Sequence, residues 1–145
     1  MTTEPVVLAA IDLVHPEHAV PILKQAQVMA ETRNARLAVI SVIPDVHMSL
    51  LGPWFREGAG EKVLKAAGDT LHALVRDTLG QAAGEVQHIL RQGTAYQEIL
   101  HVAEQRQPSL IVMGAHRPEL SDYLIGPNAA RVVRHANCSV MVLRD

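Results

Sequence analysis

The sequence contains one cysteine, Cys138, so no disulfide can close within the chain. That suits a reducing compartment and excludes a disulfide-stapled scaffold. Aromatic residues are equally scarce: one Trp, one Phe and two Tyr. These are too few rings for a base-stacking platform. Basic residues form no stripe and the formal net charge is −2. Nucleic acid and anionic membrane surfaces are therefore poorly matched partners. No apolar run approaches the roughly 20 residues of a membrane span. The amino terminus has no basic segment followed by an apolar one. The expectation is a cytoplasmic chain that is not embedded in a membrane.

What is present is enough for one core. The 145 residues are 48% hydrophobic, which fits a single domain over 1–145. "VVLAAID" (Val6 to Asp12) is a short apolar run, as in a strand buried on both faces. From Ala19 the apolar positions Ala19, Ile22, Leu23, Ala26, Met29 and Ala30 recur with helical spacing. Pro16 and Pro21 fit only near the start of such a helix. "RLAVISVIP" reads as a second strand, and Asp45 to Gly60 as a long surface loop carrying Trp54 and Phe55. Val63 to Thr78 has helical spacing closed by Gly80. "EVQHILRQG" alternates like a more exposed strand. A helix from Tyr96 to Ala103, the strand "LIVMG", a helix from Ala129 to Ala136 and the strand "SVMVLRD" follow.

Alternating strands and helices predict an α/β protein. Its sheet is an open, doubly wound, five-stranded parallel one with four helices, in the order 3-2-1-4-5. In such a sheet ligands sit beyond the carboxyl ends of the strands, where the winding reverses. Asp12 ends the first strand and Gly114 the fourth, so both border that crevice. Gly126 precedes the fourth helix, whose start presents N–H groups and the positive end of its dipole to an anion. Pro127 suits the first helical position, and Asn128, Ala129 and Ala130 are small and keep their N–H groups. Arg117, in the loop between, could pair with phosphate oxygens. Glycines also end strands and precede helices in proteins that bind nothing, and the spacing alone leaves both readings open. "GAGEK" (Gly58 to Lys62) follows no strand and lacks the hydroxyl residue of a P-loop.

Together, Asp12, "LRQG" ending at Gly93, "LIVMG" ending at Gly114, and the G-x2-R-x8-G pattern of Gly114, Arg117 and Gly126 resemble the universal stress protein family over the whole length. Arginine replaces that family's second glycine, and Pro127 replaces its Ser/Thr. The arginine and the eight-residue spacer are similar to a nucleotide-binding branch that includes stand-alone regulators associated with solute transporters. The resemblance implies an adenine nucleotide alpha hydrolase-like fold. It places adenine near Ala10 and Val42, with Ile11 beside them. Asp12 would face the ribose or a phosphate-bound metal. Gly114, Arg117, Gly126, Pro127 and Asn128 would surround the ribose and phosphates, with Met113 and Ala129 flanking the glycines. His116, inside the glycine loop, either touches ligand or braces the loop. The implied ligand is ATP, AMP or ADP, with Mg²⁺ held through the phosphates.

Other residues offer less. His15 and His18 are three apart, with no Cys, Asp or third His at ligand spacing, so no protein-held metal is expected. Cys138 reads as a small buried residue. Ser41 and Ser121 have no Ser-His-Asp partners, so no catalytic residue is assigned. Trp54 and Phe55 read as a cluster packing their loop down. The function expected is an ATP-binding regulatory module of the stress response, acting through conformation or partner binding, and by resemblance on a solute transporter. A nucleotide-free dimeric adaptor and a slow ATPase stand as alternatives. The fifth strand is an apolar edge, which recruits another strand. A homodimer pairing two copies of Ser139 to Leu143 is expected, with a tetramer beyond it.

Overall fold

The computed structural model describes residues 4–44, 59–115 and 126–144. Most of the Asp45–Gly60 stretch, with Trp54 and Phe55, lies outside the described residues, as do His116, Arg117, Ser121 and Tyr123. The elements run β1 (Val6–Ile11), α1 (Pro16–Thr32), β2 (Arg36–Ile43), α2 (Ala59–Leu79), a 3-10 turn (Gly80–Glu85), β3 (Gln87–Gln92), α3 (Ala95–Arg106), β4 (Leu110–Gly114), α4 (Pro127–His135) and β5 (Ser139–Leu143).

The five strands form one parallel sheet in the order β3-β2-β1-β4-β5. The α/β fold and strand order follow the sequence expectation. β1 is central, and Val7 to Ile11 are all buried because helices cover both of its faces. Side chains alternate across a strand, so each strand feeds two cores. Val7, Ala9 and Ile11 join Val39 and Val112 in a core under α1 and α2. Leu8 and Ala10 join Ile40, Ile111 and Met113 in a second core under α3 and α4.

α1 turns Ala19, Ile22, Leu23, Ala26 and Ala30 inward. It starts at Pro16, a turn earlier than its apolar periodicity, because the first turn holds only exposed or half-buried polar residues and proline. Pro21 thus sits at the sixth helical position, where it removes the bond to the Glu17 carbonyl. α2 likewise begins at Ala59, inside the stretch read as loop. It ends at Gly80, whose φ of 60° is the left-handed conformation that stops helices. Gly93 donates its N–H to the Ile43 carbonyl at 2.9 Å and so extends the β2–β3 ladder. It closes that strand beside Glu98 of α3, whose carboxylate receives Arg91 at 3.0 Å.

Candidate functional site

β1 leads into α1 on one face of the sheet, and β4 leads toward α4 on the other. The winding therefore reverses between β1 and β4, where an open parallel sheet leaves a crevice at its carboxyl edge. Asp12 follows the end of β1, Met113 and Gly114 close β4, and Gly126 opens α4. Val42 lies near the end of β2.

The two faces divide these residues. Ala10, Met113 and Ala129 share the α3–α4 core, and Val42 packs against it. Ile11 belongs to the opposite core, with Ile22 of α1. Toward α4, Ile11 offers only backbone atoms. Gly114 is similar: a Cβ there would meet Ile22 Cδ1 at 3.0 Å. Its missing side chain thus has a packing reason on the α1 face. Beyond Gly114, the Ala115 N–H donates to the Leu143 carbonyl at 2.9 Å and fixes where the chain leaves β4.

Gly126 caps α4 with φ 81° and ψ 157°. That region is essentially restricted to glycine. Among the described residues no side chain caps this helix, and its first turn holds no acidic residue. Pro127 contributes no N–H. The first backbone bond runs from Ala130 N to Gly126 O at 3.0 Å. By helix geometry, the N–H groups of Asn128 and Ala129 have no intrahelical acceptor. Ala129 is buried and Asn128 half-buried. The Arg131 guanidinium lies 4.6 Å from the centroid of the Tyr96 ring and ties α4 to α3 through a cation–π contact.

Asp12 is exposed, and its Oδ1 accepts the Val14 N–H at 2.9 Å. This is an Asx turn that shapes the exit from β1. The carboxylate therefore has a structural task whatever else it does. Cys138 is half-buried against the α3–α4 core, and burial raises its thiol pKa. That is the setting of an inert cysteine.

A model of the universal stress protein family matches residues 5–144. The chain belongs to that family. Universal stress protein G of Shigella flexneri is 40% identical over 58 residues, a stretch covering 40% of this chain and 40% of that relative. The match thus spans well under half the length of that relative. Among solved structures, a universal stress protein in complex with cAMP superposes with a TM-score of 0.69 at 18% identity, covering 98% of each chain. One from Archaeoglobus fulgidus in complex with dAMP gives 0.67 at 21%, again covering 98% of each chain. At such identities these structures show the universal stress protein fold. The nucleotides belong to those two proteins.

Two groupings were not read from the sequence. Glu17 lies between His15 and His18, with its Oε1 3.6 Å from His15 Nδ1 and 3.6 Å from His18 Nε2. Its signal in the sequence is a glutamate one residue before His18 and two after His15, not a Cys, an Asp or a third His. Its own backbone N–H, then the two imidazoles, hold the Glu17 carboxyl below its ordinary pKa. In the second grouping, His88 on β3 faces His72 on α2, Nδ1 to Nδ1. Sixteen residues apart on different elements, these two carry no common sequence signal. A hollow of about 480 Å³ lies at the amino edge of the sheet, lined by residues such as Glu4, Gln27, Arg36 and Glu85. It is far from the carboxyl-edge crevice. No helix among the described residues is long and apolar enough to cross a membrane.

Proposed function

We propose that this chain binds an adenine nucleotide at the carboxyl edge, between the ends of β1 and β4 and the start of α4, and acts by binding without turnover. The observation that carries the reading is the start of α4: a glycine at φ 81°, no capping side chain among the described residues, no first-turn acid and two N–H groups without intrahelical acceptors. The cAMP and dAMP complexes of proteins with the same fold support it. In this reading the phosphates lie against Asn128 and Ala129, with Gly126, Pro127 and Gly114 around the phosphates and ribose. The base rests beside Ala10, Val42 and Met113, with Ile11 contributing backbone. Asp12 faces the ribose. His116 and Arg117, which lie outside the described residues, complete the loop side.

ATP with Mg²⁺ held through its phosphates is the proposed ligand, AMP and ADP being shorter forms of the same chemistry. Hydrolysis needs a positioned water and stabilised charge on the γ-phosphate. Pro127 supplies neither hydroxyl nor N–H there, and Asp12 already holds the Val14 N–H. The protein is thus a regulatory module of the stress response, a homodimer through β5, acting on a partner such as a solute transporter. Mass spectrometry of ligand released from freshly purified protein tests this directly. An adenine nucleotide at near one equivalent, and no steady phosphate release from added ATP, are expected. Protein that arrives empty and gives no calorimetric signal with ATP, ADP or AMP is the nucleotide-free adaptor instead. Steady phosphate release abolished by Asp12→Ala makes it an ATPase.

A further inference from the structure

The start of α1 also lies at the carboxyl edge of the sheet, but on the face opposite α4. We propose that His15, Glu17 and His18 form a binding site for a divalent transition-metal ion of the zinc, nickel and copper class, completed by water or an exogenous ligand. Two imidazoles and one carboxylate are the donor set these ions prefer. Mg²⁺ and Ca²⁺ favour all-oxygen sites.

The spacing fits. One ligand atom from each residue lies within 4.8 Å of the other two. Both imidazole-to-carboxylate separations are 3.6 Å. Bonds of about 2.0–2.1 Å in a tetrahedron place neighbouring ligand atoms roughly 3.3 Å apart. Two of the three edges thus need a shift of a few tenths of an ångström, within reach of side-chain rotation.

The local backbone holds the group together. The Asx turn from Asp12 to Val14 delivers the chain to His15, and the His18 N–H donates to the His15 carbonyl at 3.0 Å. His15 occupies the N-cap position, where Ser, Thr, Asp or Asn normally bonds the helix start. Its ring makes no capping bond, so the helix begins with a residue that does not serve it. The positive end of the helix opposes a cation, and Glu17 in the first turn offsets that field. His15 and Glu17 side chains are 57% and 63% exposed and His18 is 28% exposed, which makes the site open and exchangeable. Three protein ligands leave one coordination position for an outside donor.

The test is calorimetric titration of chelator-stripped, full-length protein with Zn²⁺ or Ni²⁺ alone, without nucleotide. One ion per chain is expected, with no comparable heat from Mg²⁺. His18→Ala and Glu17→Gln are expected to weaken binding by more than about tenfold, since losing even a group that supports a ligand has about that effect. These are helix-surface changes, and circular dichroism checks that the fold persists. His72→Ala controls for the other histidine pair and is expected to leave the ion bound. No binding at about 100 µM free metal overturns the proposal. So does binding that survives His15→Ala with His18→Ala, or that disappears with His72→Ala.

Discussion

At Asn128, the half-buried second residue of α4, a carboxylate acts on two quantities at once. An acid in the first turn of a helix stabilises it by about 0.3–1 kcal/mol. The same charge repels a phosphate at the helix mouth. Asn128→Asp is therefore expected to raise the melting temperature of the empty protein slightly while lowering ATP affinity about tenfold or more, or about 1.4 kcal/mol. Calorimetry beside a thermal melt reads both, and unchanged affinity removes phosphate from the start of α4. Gly126→Asp is a poorer probe, because its φ of 81° adds strain of about 1–3 kcal/mol to the charge effect. Pro127 makes the complementary test. Pro127→Ser restores an N–H and a hydroxyl at the first helical position. Binding of ATP relative to AMP is expected to tighten by about tenfold, the scale of one hydrogen bond to a charged group. A ratio that stays constant in competition calorimetry places the outer phosphates away from this residue.

Among the described elements, β5 has a strand neighbour only at β4. Its Val140, Met141, Val142 and Leu143 are half-buried, with Val140 and Val142 leaning on one core and Met141 and Leu143 on the other. An apolar edge of this kind is a template for another strand. If two copies of Ser139 to Leu143 pair about a two-fold axis, the strands run antiparallel and Met141 lies opposite its own copy. Like charges directly opposite across a sheet are destabilising. A lysine there can still stretch its charge toward water in the monomer. Met141→Lys is expected to give a folded monomer where the wild type sediments as a dimer at micromolar concentration. A monomeric wild type, or a dimer indifferent to this change, rules out the β5 interface. The elements themselves were legible where apolar residues recur. β1, β2 and β4 were plain as short runs such as Val7 to Ile11, because a strand covered on both faces has no polar side to disguise it. The start of α1 was not legible, since Pro16, Glu17 and His18 carry no apolar period. The 3-10 turn from Gly80 to Glu85 buries no residue and left no pattern.

For the whole molecule, the carboxyl edge shared by Asp12, Gly114 and Gly126 was legible because topology alone carries the three residues there. Which face Gly114 serves was not, since a residue without a side chain shows its face only through what a Cβ there would meet, Ile22 of α1. The His72–His88 pair was invisible for a related reason: a fold must bring α2 onto β3 before the two rings meet. That pair gives global unfolding a pH dependence. A hydrogen bond between the two Nδ1 atoms requires one to carry a proton and the other to lack it. A further proton sets N–H against N–H, and the buried Nε2 of His88 has no partner among the described residues to share it with. Burial first, and the charge of His72 second, hold the His88 pKa below its ordinary 6.5. Above that value both folded and unfolded chains keep His88 neutral, and the group does not change stability. As pH falls through about 6.5, the unfolded chain takes up the proton and the folded chain resists it, so folding stability is lost. Urea midpoints at about pH 7.5 and 5.5 are expected to show this loss in the wild type and a smaller one in His88→Leu, which removes the titrating ring. Equal losses in the two proteins place the acid sensitivity elsewhere than at the α2–β3 contact.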